Sequence, residues 1–437
     1  MQAKFTEGPV LRHICTMTFA SMAGLLSLFM VDLMDMYWLS LLGEVHLAAA
    51  IGYAGSILFF TLSLCIGLSI GCGAIVSQAI GSGDREQTRR LIGNIFLAIF
   101  LTLIPIMILV LLLLEPLLGL LGAEKEAHTL AYSYMVIVLP SMPILGLAMA
   151  CSGVMRALGN ARQAMYLTLL GGLFNAALDP LFIFGLDLGI RGAALATVLS
   201  RVVMLGYGLY LVLRANALMA LPSGAYFLED IRHYGKVAFP AALTNLATPV
   251  GTAYVTAVMA QFGDSAVAGN AIVGKLQSVA FAGLFALSGA VGPIVGQNLG
   301  AKKIDRISDA LTKSAYFIVM YCVVACSALF IASDFLIAAF NAEGDAALLI
   351  HCFCYGLSSI FVFHGLSFCS NAFFNNLKVA HWATATNIAK ASLFTMPFVS
   401  LGARWGGPVG VWVGLYLGAA IIGLIGFWLA HHRIRQI

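Results

Sequence analysis

From Leu97 to Leu114 the chain runs for eighteen residues without a charged side chain. An α-helix rises about 1.5 Å per residue and a bilayer's hydrocarbon core is about 30 Å thick, so a run of this kind reads as a membrane crossing. It is the clearest of twelve apolar stretches, at 14–42, 46–79, 91–121, 127–154, 164–186, 192–214, 237–262, 266–298, 311–338, 346–371, 382–403 and 409–430. Apolar residues make up 61% of the 437 and charged residues only 10%, with a mean hydropathy of +0.96. That excludes a water-soluble domain and a disordered tail, and a net charge of +4 makes no nucleic-acid surface. The expectation is a polytopic all-α membrane protein with twelve transmembrane helices and little mass outside the bilayer.

Nine cysteines lie inside apolar stretches and none forms a CxxC pair, so they read as small packing residues. Lys4 and Arg12 precede an apolar run that has no small-residue cleavage site and continues to Asp32 and Asp35. It reads as a retained first helix. Counting Lys and Arg on alternate sides of the twelve spans gives seventeen against three (Lys125, Arg191, Arg404), a strong positive-inside asymmetry. Both termini and the segment 215–236 are therefore expected in the cytoplasm of a bacterium, with the chain in the inner membrane.

The segment 215–236 sits near the middle of the chain and prompts a search for duplication. Sliding the sequence by 219 residues lays LSIGCGAIVSQAIG (68–81) over LSGAVGPIVGQNLG (287–300), with seven of fourteen positions identical. Each half has six spans, so the halves share one orientation. The expected organisation is two pseudo-symmetric six-helix lobes, 1–214 and 237–437, joined by the linker 215–236. Parallel repeats of this kind are a transporter architecture.

Three segments, VGQNLGAKKIDR, DMYWLSLLG and NAALDPLFIFGLDLGIRGAALAT, are similar to the multidrug and toxic compound extrusion (MATE) family. The last, with Asn-x-x-x-Asp-Pro, most resembles its DinF-like branch. The resemblance covers all twelve spans. It implies a V of two lobes around a central cavity that opens alternately to either face, and export of small organic cations or amphipathic drugs in exchange for protons or sodium ions. No cofactor, nucleic acid or nucleotide is expected, the partners are substrate and lipid, and the expected state is a monomer.

Ionisable residues at membrane depth mark function by default. Six stand here: Asp32, Asp35, Asp179, Arg201, Lys275 and Lys390. Asp35 lies roughly 12 Å below the outer end of the first span, and Asp179, Thr197 and Tyr134 fall at a similar depth on the fifth, sixth and fourth. Asn175 and Asp179 are four apart and share a helix face. Pro180 lacks an N–H and frees the Ala176 carbonyl. Together these supply hard oxygen ligands for a proton or a small cation. Asp32 and Asp35 point to nearly the same side of their helix, and two close carboxylates in a low dielectric cannot both ionise comfortably, which favours proton carriage.

By resemblance, Asp35, Asn175, Asp179, Thr197 and Tyr134 match the branch's cation site. Two departures stand out: Asp32 occupies the family's Asn position, and Ala20 stands where the first helix commonly has proline. The coupling site is thus expected at Asp35, Asn175, Asp179, Thr197 and Tyr134 with Asp32, the ion being H+ or, alternatively, Na+ held by Asp35, Asn175, Asp179 and Thr197; no resident metal is expected. Substrate-cavity candidates are Asp35, Asn175 and Asp179, then Tyr37, Lys275 and Lys390.

At the 219–220 offset, Asp35 falls on Tyr254 or Val255, Asn175 on Phe394 and Asp179 on Phe398. Coupling is therefore expected in the N-terminal lobe alone. No GxxxxGK[ST] motif is present, so this chain does not drive transport with ATP. Two other functions fit parts of the sequence. A flippase for a lipid-linked substrate would use Arg201, Lys275 and Lys390. An intramembrane aspartyl protease would use Asp35 and Asp179, but its Gly-x-Gly-Asp context is missing.

Overall fold

The computed structural model describes residues 3–40, 45–123, 125–340 and 342–437, with side chains at all of these except 31–37, 39–40, 45–49, 125 and 264. Among the described residues every regular element is helical. In lipid each backbone N–H and C=O must find a partner within its own segment, so apolar runs of this length close as helices.

In chain order these are α1 (Val10–Ser40), α2 (Val45–Ser82), α3 (Arg85–Leu112), α4 (Leu114–Leu120), α5 (Lys125–Val138), α6 (Met142–Ala157), α7 (Ala161–Pro180) and α8 (Gly189–Tyr210). There follow α9 (Gly224–Met259), α10 (Asp264–Ala280), α11 (Ala282–Gly300), α12 (Ile304–Ala339), α13 (Asp345–Tyr355), α14 (Phe361–Asn376), α15 (Ala380–Ala389) and α16 (Met396–Ile434). Nine described helical runs are long and apolar enough to cross a bilayer, and the pair α10–α11, bent by 48°, adds a tenth. The longest run, Ala380–Ile434, has 55 residues, about 80 Å of helix, too long for one crossing. It breaks at Gly407, whose φ of 57° is left-handed and unsuited to a side chain, and so makes two. With α9 the count reaches the twelve expected.

The described residues form two compact units, unit 1 within 23–242 and unit 2 being 3–22 with 243–437. Within unit 1, α2 packs along α6 and α7 along α8, with α5 and α6 also against α8. Within unit 2, α11 packs on α12 and α14, and α14 on α16. The contact between the second and fourth spans thus recurs between the eighth and tenth.

The segment 215–236 is not a loop throughout. A π-turn Leu211–Ala215 ends the sixth span, and α9 already begins at Gly224. Asp230 and Tyr234, four apart, give this polar stretch a face to bury; they are 5% and 4% exposed. Gly67 and Gly71 on α2 let the α9 backbone come close at Ala242 and Ala238, where a Cβ would collide.

Candidate functional site

Inside unit 1, three consecutive elements bring polar groups together because of one proline. Pro180 closes α7 and cannot donate to the Ala176 carbonyl, and the chain continues as a π-turn over Leu181–Gly185, with the Leu186 N–H on the Leu181 carbonyl at 2.9 Å. Gly192 lets α8 lie against this turn, since a Cβ there would stand 2.6 Å from the Phe182 carbonyl. The fifth and sixth spans are thereby held tightly at the level of Asp179.

Asp179 is 1% exposed and Asn175 6%. The Asn175 Nδ2 donates to Asp179 Oδ2 at 2.8 Å, one turn along α7. From α8 the Ser200 hydroxyl lies 3.2 Å from Asn175 Oδ1 and 2.8 Å from the Thr197 carbonyl. Its single proton serves one of them at a time. The Thr197 hydroxyl donates back to the Ala193 carbonyl of its own helix at 3.0 Å. One link between α7 and α8 therefore runs through Ser200, a residue that sequence reasoning missed. The signal was present: Ser200 is three residues from Thr197 and so on the same face.

Tyr134 is half-buried on α5 and packs with Trp38 against Ile183 and Ala193. The Trp38 ring also meets Phe184 edge-on at 6.3 Å. The C-terminal part of α1, the π-turn and the start of α8 thus share one apolar seam. Asp32, Asp35 and Tyr37 lie on α1, and their side chains fall outside the described residues. Arg201, one residue past Ser200, donates through Nη1 to Ser141 Oγ at 2.8 Å and to the Val138 carbonyl at 3.4 Å. It ties α8 to the break between α5 and α6, where Pro140 and Pro143 interrupt the fourth span.

At the counterpart positions of unit 2 stand Tyr254, Phe394 and Phe398. The Tyr254 and Ser400 hydroxyls are 2.6 Å apart, and Phe394 and Phe398 lie ring to ring at 6.2 Å. Lys390 is half-buried at the head of a π-turn, Lys390–Thr395, and Lys275 is exposed on α10. Both belong to unit 2. Among the described residues no set of three His, Cys, Asp or Glu side chains could hold a metal ion.

The model of the MatE family matches this chain twice, over residues 20–181 and 240–401. The chain belongs to the MatE family. The two matches are displaced by 220 residues, as the internal repeat requires. It is 28% identical to the FAD transporter of Shewanella oneidensis, over 97% of this chain and 95% of that one. It is 26% identical to the probable multidrug resistance protein YpnP of Bacillus subtilis, over 94% and 92%. Among solved structures it superposes on the Vibrio cholerae MATE transporter VcmN in the bent form with a TM-score of 0.90 at 26% identity, over 98% and 97%. As a MatE protein the chain is a membrane transporter and not an enzyme, which removes the aspartyl-protease reading.

Proposed function

We propose that this MatE transporter is a secondary multidrug exporter of the DinF-like branch, expelling hydrophobic organic cations from the cytoplasm as protons return. The observation that carries this is the buried chain Asp179–Asn175–Ser200, a carboxylate with amide and hydroxyl partners at membrane depth beside a proline-broken helix. Asp35 and Asp32 complete the coupling site from α1, with Thr197 and Tyr134 at its rim. A protonated carboxyl lets the organic cation go and a deprotonated one takes it up, so proton and substrate exchange on one charge. The protein works as a monomer in the bacterial inner membrane with both termini cytoplasmic. Its sequence repeats are 1–214 and 237–437, joined by 215–236. Na+ is the alternative ion, since the same oxygens can hold it.

Lys390, half-buried within the eleventh span, favours a second reading. A fixed cation there suits an anionic amphipath, a flavin dinucleotide or lipid-linked pyrophosphate, and a full-length relative is named an FAD transporter. Efflux from everted vesicles, energised separately by a pH gradient and by a Na+ gradient, tests both. Cationic dye movement that follows the pH gradient supports the main reading. Dye movement that follows Na+ alone replaces the ion, and movement of flavin with none of dye replaces the substrate.

A further inference from the structure

The repeat motif around residue 300 has no part in the coupling site, and the structure shows what it holds. Residues Lys4–Gly8 run ahead of α1 and are bound to the end of α11 and the start of α12. The Phe5 N–H donates to Gln297 Oε1 at 2.9 Å, and Asn298 Nδ2 donates to the Phe5 carbonyl at 3.1 Å. Arg306 Nη2 reaches the carbonyls of Phe5, Glu7 and Gly8 at 2.8, 3.1 and 2.9 Å, while its Nε donates to Asn298 Oδ1 at 3.2 Å. Lys303 Nζ donates to the Thr6 carbonyl at 2.9 Å. The Phe5 side chain is 2% exposed. A guanidinium spanning three carbonyls is a fixed clasp, because its planar fork loses little freedom on binding.

The segment ahead of α9 is clasped in the same way, by different residues. The Ala220 N–H donates to the Arg89 carbonyl at 3.1 Å, and the Ser223 N–H to Asn94 Oδ1 at 2.9 Å. Asn94 Nδ2 and Arg90 both bind the buried Asp230, at 2.6 and 3.2 Å, and the Arg90 guanidinium stacks 4.1 Å above the Tyr226 ring. At the 219 offset Gln78 matches Gln297, while Ala79, Asp84 and Gln87 stand where the second repeat has Asn298, Lys303 and Arg306, so the clasp around Phe5 uses mostly residues that the first repeat lacks.

We propose that these clasps exchange the starts of α1 and α9 between the moving bodies of the transporter. Residues 3–22 travel with unit 2 and 216–242 with unit 1 throughout the cycle, so the bodies that move are not the sequence repeats. Each clasp binds the start of a helix to the unit that already holds it, and the same helix then enters the other unit, after Met22 in α1 and after Ala242 in α9. A weak point lies beside each crossing. Gly24 has no side chain to support the helix, and Pro240 leaves the Lys236 carbonyl without its helical donor. Relative motion is thereby taken up within α1 and α9, while their starts stay fixed.

The inference rests on the transport reading, but its first test does not need a substrate. Segment-resolved hydrogen exchange of the whole protein in lipid nanodiscs is measured for wild type, Arg306→Gln and Asp230→Asn. Arg306→Gln raises exchange over residues 4–13 about ten-fold or more and leaves 218–234 unchanged, and Asp230→Asn does the reverse. Unchanged exchange in both variants overturns the clasps. The second test joins Thr6→Cys to Lys303→Cys with a short bis-methanethiosulfonate cross-linker. Efflux in the linked protein stays within about two-fold of the unlinked double variant, because the strap never leaves unit 2. Efflux abolished by the link and restored by dithiothreitol overturns the proposal, since the strap would then have to release. A wild type that moves no cationic dye refutes the substrate reading instead, and the exchange result still decides the clasps.

Discussion

The Asn175 amide donates to one carboxylate oxygen of Asp179 at 2.8 Å, and its carbonyl oxygen faces Ser200 on the next span. The amide therefore bridges the Asp179 carboxylate and a hydroxyl of α8. A deprotonated carboxylate makes the stronger acceptor, as charge-assisted bonds are roughly twice as strong as neutral ones.

Replacing Asp179 with Asn keeps the size and removes the titratable charge. Asp179→Asn and Asp35→Asn should each cut coupled efflux about ten-fold or more at matched expression, since one intramembrane charge supplies the few kcal/mol that bias a two-state transporter. Phe398→Leu, at the counterpart position of Asp179 in unit 2, should stay within about two-fold. Drug resistance in cells and dye efflux from vesicles give the measurement; normal export by Asp35→Asn sinks the assignment of the coupling carboxylates.

Ser200→Ala removes the described hydroxyl link between α8 and Asn175. If the proposed coupling site is right, the loss should be about 1 kcal/mol, a several-fold fall in efflux rate with a shifted pH dependence, because a hydrogen bond to Asn175 is gone. A pH profile that keeps its midpoint would show that Ser200 only packs.

Asp230 is buried with two donors, Arg90 and Asn94. Asp230→Ala leaves both without their acceptor and should lower the stability of the purified protein by about 2 kcal/mol or more, read as a fall in Tm in detergent. Asp230→Asn retains an acceptor oxygen and should lose less. Equal losses would mean that charge, not hydrogen bonding, holds the segment.

At Gly192 a methyl group would stand 2.6 Å from the Phe182 carbonyl, which belongs to the backbone and cannot swing away. Gly192→Ala should destabilise the protein by about 1–3 kcal/mol and lower its folded yield. Gly407→Ala should cost about 1–2 kcal/mol for a different reason, the left-handed φ of 57°. Fluorescence size-exclusion profiles after a heating series separate either variant from wild type.

Hydropathy and helical spacing are local properties, and what depends on them was legible in the chain alone. The charge-free run Leu97–Leu114, the duplication of 68–81 at 287–300 and the shared face of Asn175 and Asp179 each need only a stretch of sequence and the helix repeat. Twelve crossings follow, because a bilayer allows such runs no other backbone arrangement. What the tertiary structure decided depends on partners far apart in the chain. Gln297, Asn298 and Arg306 look like an ordinary polar helix end until Phe5, some 290 residues earlier, lays its backbone across them. Ser200 was one turn from a candidate and became the link only when the π-turn after Pro180 set α8 against α7. The membership of residues 3–22 in unit 2 could not be read from any repeat. A backbone carbonyl offers the same hydrogen bond at every position, and only the folded chain selects which arginine takes it.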